Sequence, residues 1–151
     1  MTIELFTDGA CKGNPGPGGY GVILICGDHY KELSEGYART TNNRMELMAV
    51  ISGLSKINNP HKHDVLVYSD SKYVTDTINK QWIKKWESKN FDGVKNNDLW
   101  IEFSRIIKTF NEVKFNWIKG HNGHPENEKC DELAQAAAQE KKLKVDYGYI
   151  G

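Results

Sequence analysis

Leu5-Phe6-Thr7-Asp8-Gly9-Ala10-Cys11-Lys12-Gly13-Asn14-Pro15-Gly16-Pro17-Gly18-Gly19-Tyr20-Gly21 is the stretch on which the architecture turns. It opens as a strand, with Ile3, Leu5 and Thr7 pointing one way and Glu4, Phe6 and Asp8 the other. From Gly9 onward the density of Gly and Pro predicts a loop through which neither helix nor ladder continues. An acid at the end of a buried strand, followed by exposed backbone amides, suits a cation and a phosphate. It equally suits an ordinary Asp-Gly turn whose glycines supply positive φ. What separates the two is whether other parts of the chain supply partners for Asp8.

Downstream, Tyr20–Cys26 reads as a second strand, and Gly27-Asp28 signals a tight hairpin into a third, from about Tyr30 to Ala38. These strands form an antiparallel meander. A polar cluster, Arg39 to Glu46, then opens a helix. Asn43 is placed as its N-cap and Glu46 stands at the capping-box position. Leu47, Val50, Ile51 and Leu54 carry the apolar stripe up to Asn58-Asn59-Pro60. Two roles are open to Glu46: satisfying the Asn43 amide, or reaching a strand end from the first turn.

Asp64–Ser69 is a continuous apolar strand, which suits burial on both faces. It ends in Ser69-Asp70-Ser71. With a helix before it, this strand belongs parallel to the first, which sets Asp70 beside Asp8 at the edge where open α/β sheets bind ligands. The competing role for Asp70 is to cap the next helix, Tyr73–Ile78. Gln81–Phe91 carries Trp82 and Trp86 on one helical face among Lys80, Lys84, Lys85 and Lys89, a pattern open to core packing or to a nucleic-acid surface. Lys95–Asn111 is a further helix and Val113–Ile118 a last strand. His121 and His124 lie in the loop that follows, without the spacing of zinc ligands; an exposed imidazole near a reaction centre fits better. In the last helix, about Glu126 to Lys141, Cys130, Leu133, Ala134, Ala137 and Ala138 form a small-residue stripe with Asp131 at its edge. The tail from Asp146 is open between a packed and a disordered end.

The 151 residues, 38% apolar and 26% charged, describe one soluble domain spanning 1–151. Zero formal net charge excludes nucleic-acid binding by bulk charge and leaves room for a local basic surface. Cys11, Cys26 and Cys130 cannot all pair and match no zinc pattern, as in a reduced, cytoplasmic protein. The longest apolar run, Val22–Cys26, is too short for a bilayer, so no membrane association is expected.

Asp8, Glu46, Asp70 and Asp131 are four acids that one sheet can bring together. Carboxylates so crowded repel, and hard oxygen donors without paired soft ligands point to Mg²⁺ or Mn²⁺. Residue patterns alone therefore lead to metal-dependent phosphoryl transfer.

Thr7-Asp8-Gly9, the run Gly13–Gly21, Thr40–Leu47, Ser69-Asp70-Ser71, Gly120-His121 and Cys130–Ala134 together resemble bacterial type 1 ribonuclease H, in order and spacing, from the first strand to the last helix. The resemblance implies an α/β fold with a five-stranded mixed sheet in order 3-2-1-4-5. It implies an endonuclease that cuts the RNA strand of RNA–DNA hybrids by a two-metal-ion mechanism, leaving 5′-phosphate and 3′-hydroxyl ends; nothing in the sequence asks for more than a monomer. Asp8, Glu46, Asp70 and Asp131 then match the metal-binding carboxylates and His121 the loop histidine that assists proton movement or product release. Asn14, Asn42 and Asn43, with backbone near Cys11 and Gly13, match contacts to the RNA strand. Arg39, Thr41 and Asn96 match a pocket for a DNA-strand phosphate, and Trp82 and Trp86 the DNA channel. Two departures stand out. The basic protrusion after Trp86 is short, with Glu87 and Asp92 set against Lys89, and Lys72 replaces a frequent Gln. They predict a weaker, more salt-sensitive grip with intact chemistry. A silent hybrid-binding module and a small phosphate-binding domain are the competing classes; the Gly-rich run lacks both GxGxxG and GxxxxGKS.

Overall fold

A computed structural model describes residues 2–119 and 124–150. Its sheet has the order β3-β2-β1-β4-β5. The strands are β1 (Thr2–Cys11), β2 (Gly16–Cys26), β3 (His29–Thr40), β4 (Asp64–Ser69) and β5 (Glu112–Trp117). The helices are α1 (Asn42–Ser55), α2 (Lys72–Asn79), α3 (Trp82–Ser88), α4 (Asn97–Ile107) and α5 (Pro125–Ala138). β1–β3 form the expected antiparallel meander, while β4 runs parallel to β1 and β5 parallel to β4. No described helix is long and apolar enough to cross a membrane.

The alternation in β1 builds two unequal cores. Ile3 and Leu5 pack with Val22, Val65, Val67 and Phe115 against Leu47, Val50 and Leu54 of α1 and Trp100 and Phe103 of α4. Phe6 and Ile23 face the other way, onto Cys130 of α5. Because α5 lies over β1–β3, the second face of β4 is covered less than its apolar run suggests. Val65, Val67 and Ser69 are buried, whereas Leu66 and Tyr68 are half-buried, with Tyr68 stacked on Phe6 at 4.8 Å.

The Gly-rich run departs from expectation. The ladder does not stop at Gly9: Asp8 pairs with Gly21, Gly9 with Tyr20, Ala10 with Gly19 and Cys11 with Gly18. Only Lys12–Pro15 is a loop, closed by Lys12 N–H on Pro17 C=O at 2.8 Å, and within the run only Gly13 adopts positive φ, at 72°. The other glycines serve close approach. A Cβ on Gly19 would collide with the Ala134 carbonyl oxygen, one on Gly21 with that of Cys130 and one on Gly36 with that of Ala137. The backbone of α5 thus rests directly on the sheet, which removes the alternative of a simple Asp-Gly turn.

Helix boundaries shift for identifiable reasons. Thr41, not Asn43, caps α1, its hydroxyl accepting from Arg44 N–H at 3.3 Å. Helix α3 is shorter than expected because Asn90 and Phe91 take positive φ, turning Phe91 into the core. α4 starts only after Asn96, itself at φ 60°. The tail is packed: Ala38 N–H donates to Lys144 C=O and Lys144 N–H to Gly36 C=O, and Asp146 is buried.

Candidate active site

β1 and β4 are in register with Thr7 opposite Ser69, so the next residues of each, Asp8 and Asp70, emerge together at the carboxyl edge. Glu46 arrives from α1. Its approach depends on Gly9, where a Cβ would stand 2.5 Å from the Glu46 amide nitrogen and 2.7 Å from the Met45 carbonyl carbon. One carboxylate oxygen from each of Asp8, Glu46 and Asp70 lies within 4.8 Å of the other two.

The mundane roles open to these acids are taken by neighbours. With Thr41 capping α1, Glu46 has no capping-box partner, and its Oε1 is buried with no hydrogen-bond partner. Ser71, not Asp70, caps α2 by accepting from Val74 N–H at 3.2 Å; Asp70 Oδ1 is likewise buried and unpartnered. Asp8 Oδ1 accepts from Gly9 N–H at 2.9 Å. Burial, then the charges of Asp70 and Asp131, push Asp8 up to about 8. Burial, then Asp8 and Asp70, push Glu46 well above the carboxylate range. Buried oxygens without donors are costly, and three acids sharing one locus are tolerable when a cation joins them. The donor set fits a hard divalent ion: carboxylate oxygens only, at a strand edge.

Asp131 stands one step outside this trio. It is half-exposed on α5 and accepts from Gln135 Nε2 at 3.0 Å. Its charge still raises Asp8. The helix that carries it is anchored by the glycine contacts and by Cys130 Sγ–H donating to Phe6 C=O at 3.3 Å. Asp131 and Gln135 line a cleft of about 310 Å³ with Gly9, Cys11, Lys12 and Asn42. His121 lies outside the described residues.

Asn14 and Asn42 meet where the Lys12–Pro15 loop approaches α1, Asn42 N–H donating to Asn14 Oδ1 at 2.9 Å. Asn14, Thr41, Asn43 and Asn96 share a second cleft of about 470 Å³ with Lys95 and the tail residue Tyr149. Gly13 is in the connecting loop and Cys11 at the end of β1, its thiol donating to Thr40 C=O at 3.3 Å. Arg39 is exposed at the end of β3. The tryptophans divide the two roles open to them. Trp86 packs edge-on against Trp100, ring centroids 5.5 Å apart, while Trp82 is 41% exposed with Lys80 Nζ 5.5 Å from its ring centre. In the protrusion, Glu87 turns inward to accept from Ser104 and pair with Lys108 at 3.0 Å, leaving Lys84, Lys85 and Lys89 exposed.

Sequence reasoning missed the ion cluster beneath the second cleft. Arg44, fully buried, donates through Nη1 and Nη2 to Asp98 at 2.9 and 2.7 Å, and through Nε and Nη2 to Asp146 at 2.7 and 3.0 Å. Asn96 Oδ1 accepts from Arg44 Nη1 at 3.2 Å and Asn96 Nδ2 donates to Tyr73 Oη at 3.0 Å. No periodicity links positions 44, 98 and 146, so no local signal could have found it. Trp117 was missed too: its Nε1–H donates to Asp70 C=O at 3.0 Å, and Lys72 Nζ sits 4.8 Å from its ring centre. A larger cleft of about 800 Å³, bordered by Glu35, Lys141 and Lys144, touches none of the acids.

Comparison with known proteins agrees with this geometry. The RNase H family model matches residues 1–139. A ribonuclease H of Desulforamulus reducens is 50% identical over 149 residues, covering 95% of this chain and 92% of that protein. The crystal structure of LC9-RNase H1, a type 1 RNase H with the type 2 active-site motif, superposes with a TM-score of 0.80 at 30% identity, over 91% of this chain and 72% of that one. LC11-RNase H1, crystallised with an RNA/DNA hybrid, superposes with a TM-score of 0.70 at 25% identity, over 90% of this chain and 96% of that one. With an acid trio at the strand edge and near-complete coverage at half identity, this chain belongs to the ribonuclease H family.

Proposed function

We propose that this chain is an endonuclease that hydrolyses the RNA strand of RNA–DNA hybrids, giving 5′-phosphate and 3′-hydroxyl ends. Asp8, Glu46, Asp70 and Asp131 hold two divalent ions, Mg²⁺ with Mn²⁺ as a substitute. The observation that carries this reading is the pair of buried, unpartnered carboxylate oxygens on Glu46 and Asp70 beside Asp8. When bound, such ions activate a water against a phosphodiester and stabilise its leaving oxygen.

The chain's own residues supply recognition. Asn14, Asn42 and Asn43, with backbone at Cys11 and Gly13, contact the RNA strand in the wide, shallow groove where 2′-hydroxyls are displayed. Arg39, Thr41 and Asn96 hold a DNA-strand phosphate, and exposed Trp82 borders the DNA on a surface that Trp86 supports from beneath by packing on Trp100. Contacts to sugar and phosphate carry no base identity, so sequence preference is weak. Asp131, half-exposed and flanked by Gln135, is the acid free to adjust as substrate arrives. His121 provides a titratable imidazole for proton movement or product release.

The test is cleavage of an end-labelled RNA–DNA hybrid with Mg²⁺, with EDTA, and by Asp8→Asn. Cleavage only by the unaltered chain with Mg²⁺, with hybrid binding kept in Asp8→Asn, supports the reading. Binding without any cleavage by the unaltered chain would leave a hybrid-binding module instead.

A further inference from the structure

The RNase H family model ends at residue 139, yet the segment beyond it is built into the cleft of Asn14, Thr41 and Asn96. Three anchors hold it. Asp146 accepts from Arg44 and from Thr40 Oγ1, the latter at 2.7 Å. Gly148 lies so close to the Asp98 carboxylate that a Cβ there would collide with it. Tyr149 N–H then turns back on Asp146 C=O at 3.2 Å. Tyr147 and Ile150 point out, 91% and 95% exposed, whereas Tyr149 is half-buried in the cleft wall. Its ring centre lies 6.0 Å from the Arg39 guanidinium carbon, at the outer reach of a cation–π contact. Arg39 forms no ion pair among the described residues. The ring is therefore what restrains an exposed cation next to the cleft.

We propose that the turn 146–149 is a working wall of the nucleic-acid cleft, in which Tyr149 is a positioning residue that holds Arg39 for a phosphodiester of the DNA strand. This rests on the function proposed above. A freely rotating arginine loses side-chain entropy on meeting a phosphate; one already leaning on an aromatic face loses less. The fixed turn matters because Tyr149 can restrain Arg39 only if its own backbone is held, and the Arg44–Asp146 pair holds it.

The experiment measures kcat and KM on a labelled RNA–DNA hybrid, with thermal unfolding of each protein, for the unaltered chain, Tyr149→Ala, Tyr149→Phe, Arg39→Ala and the Ala double variant. Tyr149→Ala is expected to raise KM roughly two- to five-fold, the scale of an exposed cation–π contact, with kcat and melting temperature unchanged. Tyr149→Phe keeps the ring and is expected to match the unaltered chain. The double variant is expected to be no worse than Arg39→Ala, because Tyr149 acts through Arg39. An unchanged or lowered KM for Tyr149→Ala overturns the proposal, as does a full Tyr149 effect in the Arg39→Ala background. If the unaltered chain does not cut the hybrid, the proposed function falls first; if it cuts and Tyr149→Ala equals it, only the tail's role falls.

Discussion

Asp8→Asn is expected to make the metal-free protein more stable while ending its activity. Asp8 is buried and its pKa stands at about 8 against an ordinary 3.8. Its folded-state value is raised, so the folded protein binds this proton more tightly than the unfolded chain. Stability is then greatest below the unfolded value and declines as pH rises from about 4 toward 8, levelling off above. Over the roughly three pH units up to neutrality, linkage at about 1.4 kcal/mol per unit sets a ceiling of about 4 kcal/mol. Neutral asparagine escapes most of this cost. It also relieves Glu46, whose second cause of elevation is the Asp8 charge. A gain of about 2 kcal/mol at pH 8 corresponds to about 4–8 °C in a chain of this size. The assay is thermal or urea unfolding in EDTA at pH 4, 6 and 8, repeated with Mn²⁺. The Asp8→Asn advantage should grow with pH, vanish near pH 4, and shrink with Mn²⁺, which stabilises the unaltered chain through its intact acids. An advantage independent of pH, or none at pH 8, would refute the reasoning.

Arg44→Ala should cost about 3–5 kcal/mol in urea unfolding, because it strands the buried Asp146 carboxylate. Burial raises Asp98, but Arg44 outweighs it and leaves Asp98 below its ordinary value. That contribution is present above about pH 4 and lost as pH falls through the folded value, so the Arg44→Ala deficit should narrow in acid. Gly21→Ala forces a methyl into the Cys130 carbonyl and should cost about 1–3 kcal/mol. It should also lower kcat, since α5 carries Asp131; unaltered melting and turnover would count against direct packing of α5 on β2. Glu46→Gln should abolish hybrid cleavage and weaken Mn²⁺ binding by calorimetry while the fold melts no lower. With few exposed lysines on α3 and the turn after it, namely Lys84, Lys85 and Lys89, hybrid affinity should be weak. The slope of log Kd against log salt should be shallow, because it scales with the phosphates neutralised. A steep slope in binding titrations would instead support the heightened salt sensitivity expected from the short protrusion.

While the full strand order followed from the family resemblance, the antiparallel meander, the parallel placement of β4 and the meeting of Asp8 with Asp70 were legible in residue patterns. Hydrophobic periodicity and the handedness of crossovers constrain those features strongly. Glu46 and Asp131 were visible as acids on helices, but whether each was a cap, a surface charge or a site group depended on neighbours. Thr41 and Ser71 took the capping work, and Gly9 let Glu46 close on Asp8.

The linear order of residues determined which acids and amides exist and which secondary element carries each, because those properties are local. Only the folded molecule decided that glycines 19, 21 and 36 serve helix–sheet contact rather than turns. It alone set Asp131 apart from the trio and gathered Arg44, Asp98 and Asp146 under the tail. Steric exclusion and charge pairing between segments far apart in the chain act on distance in space, and sequence separation carries no trace of it.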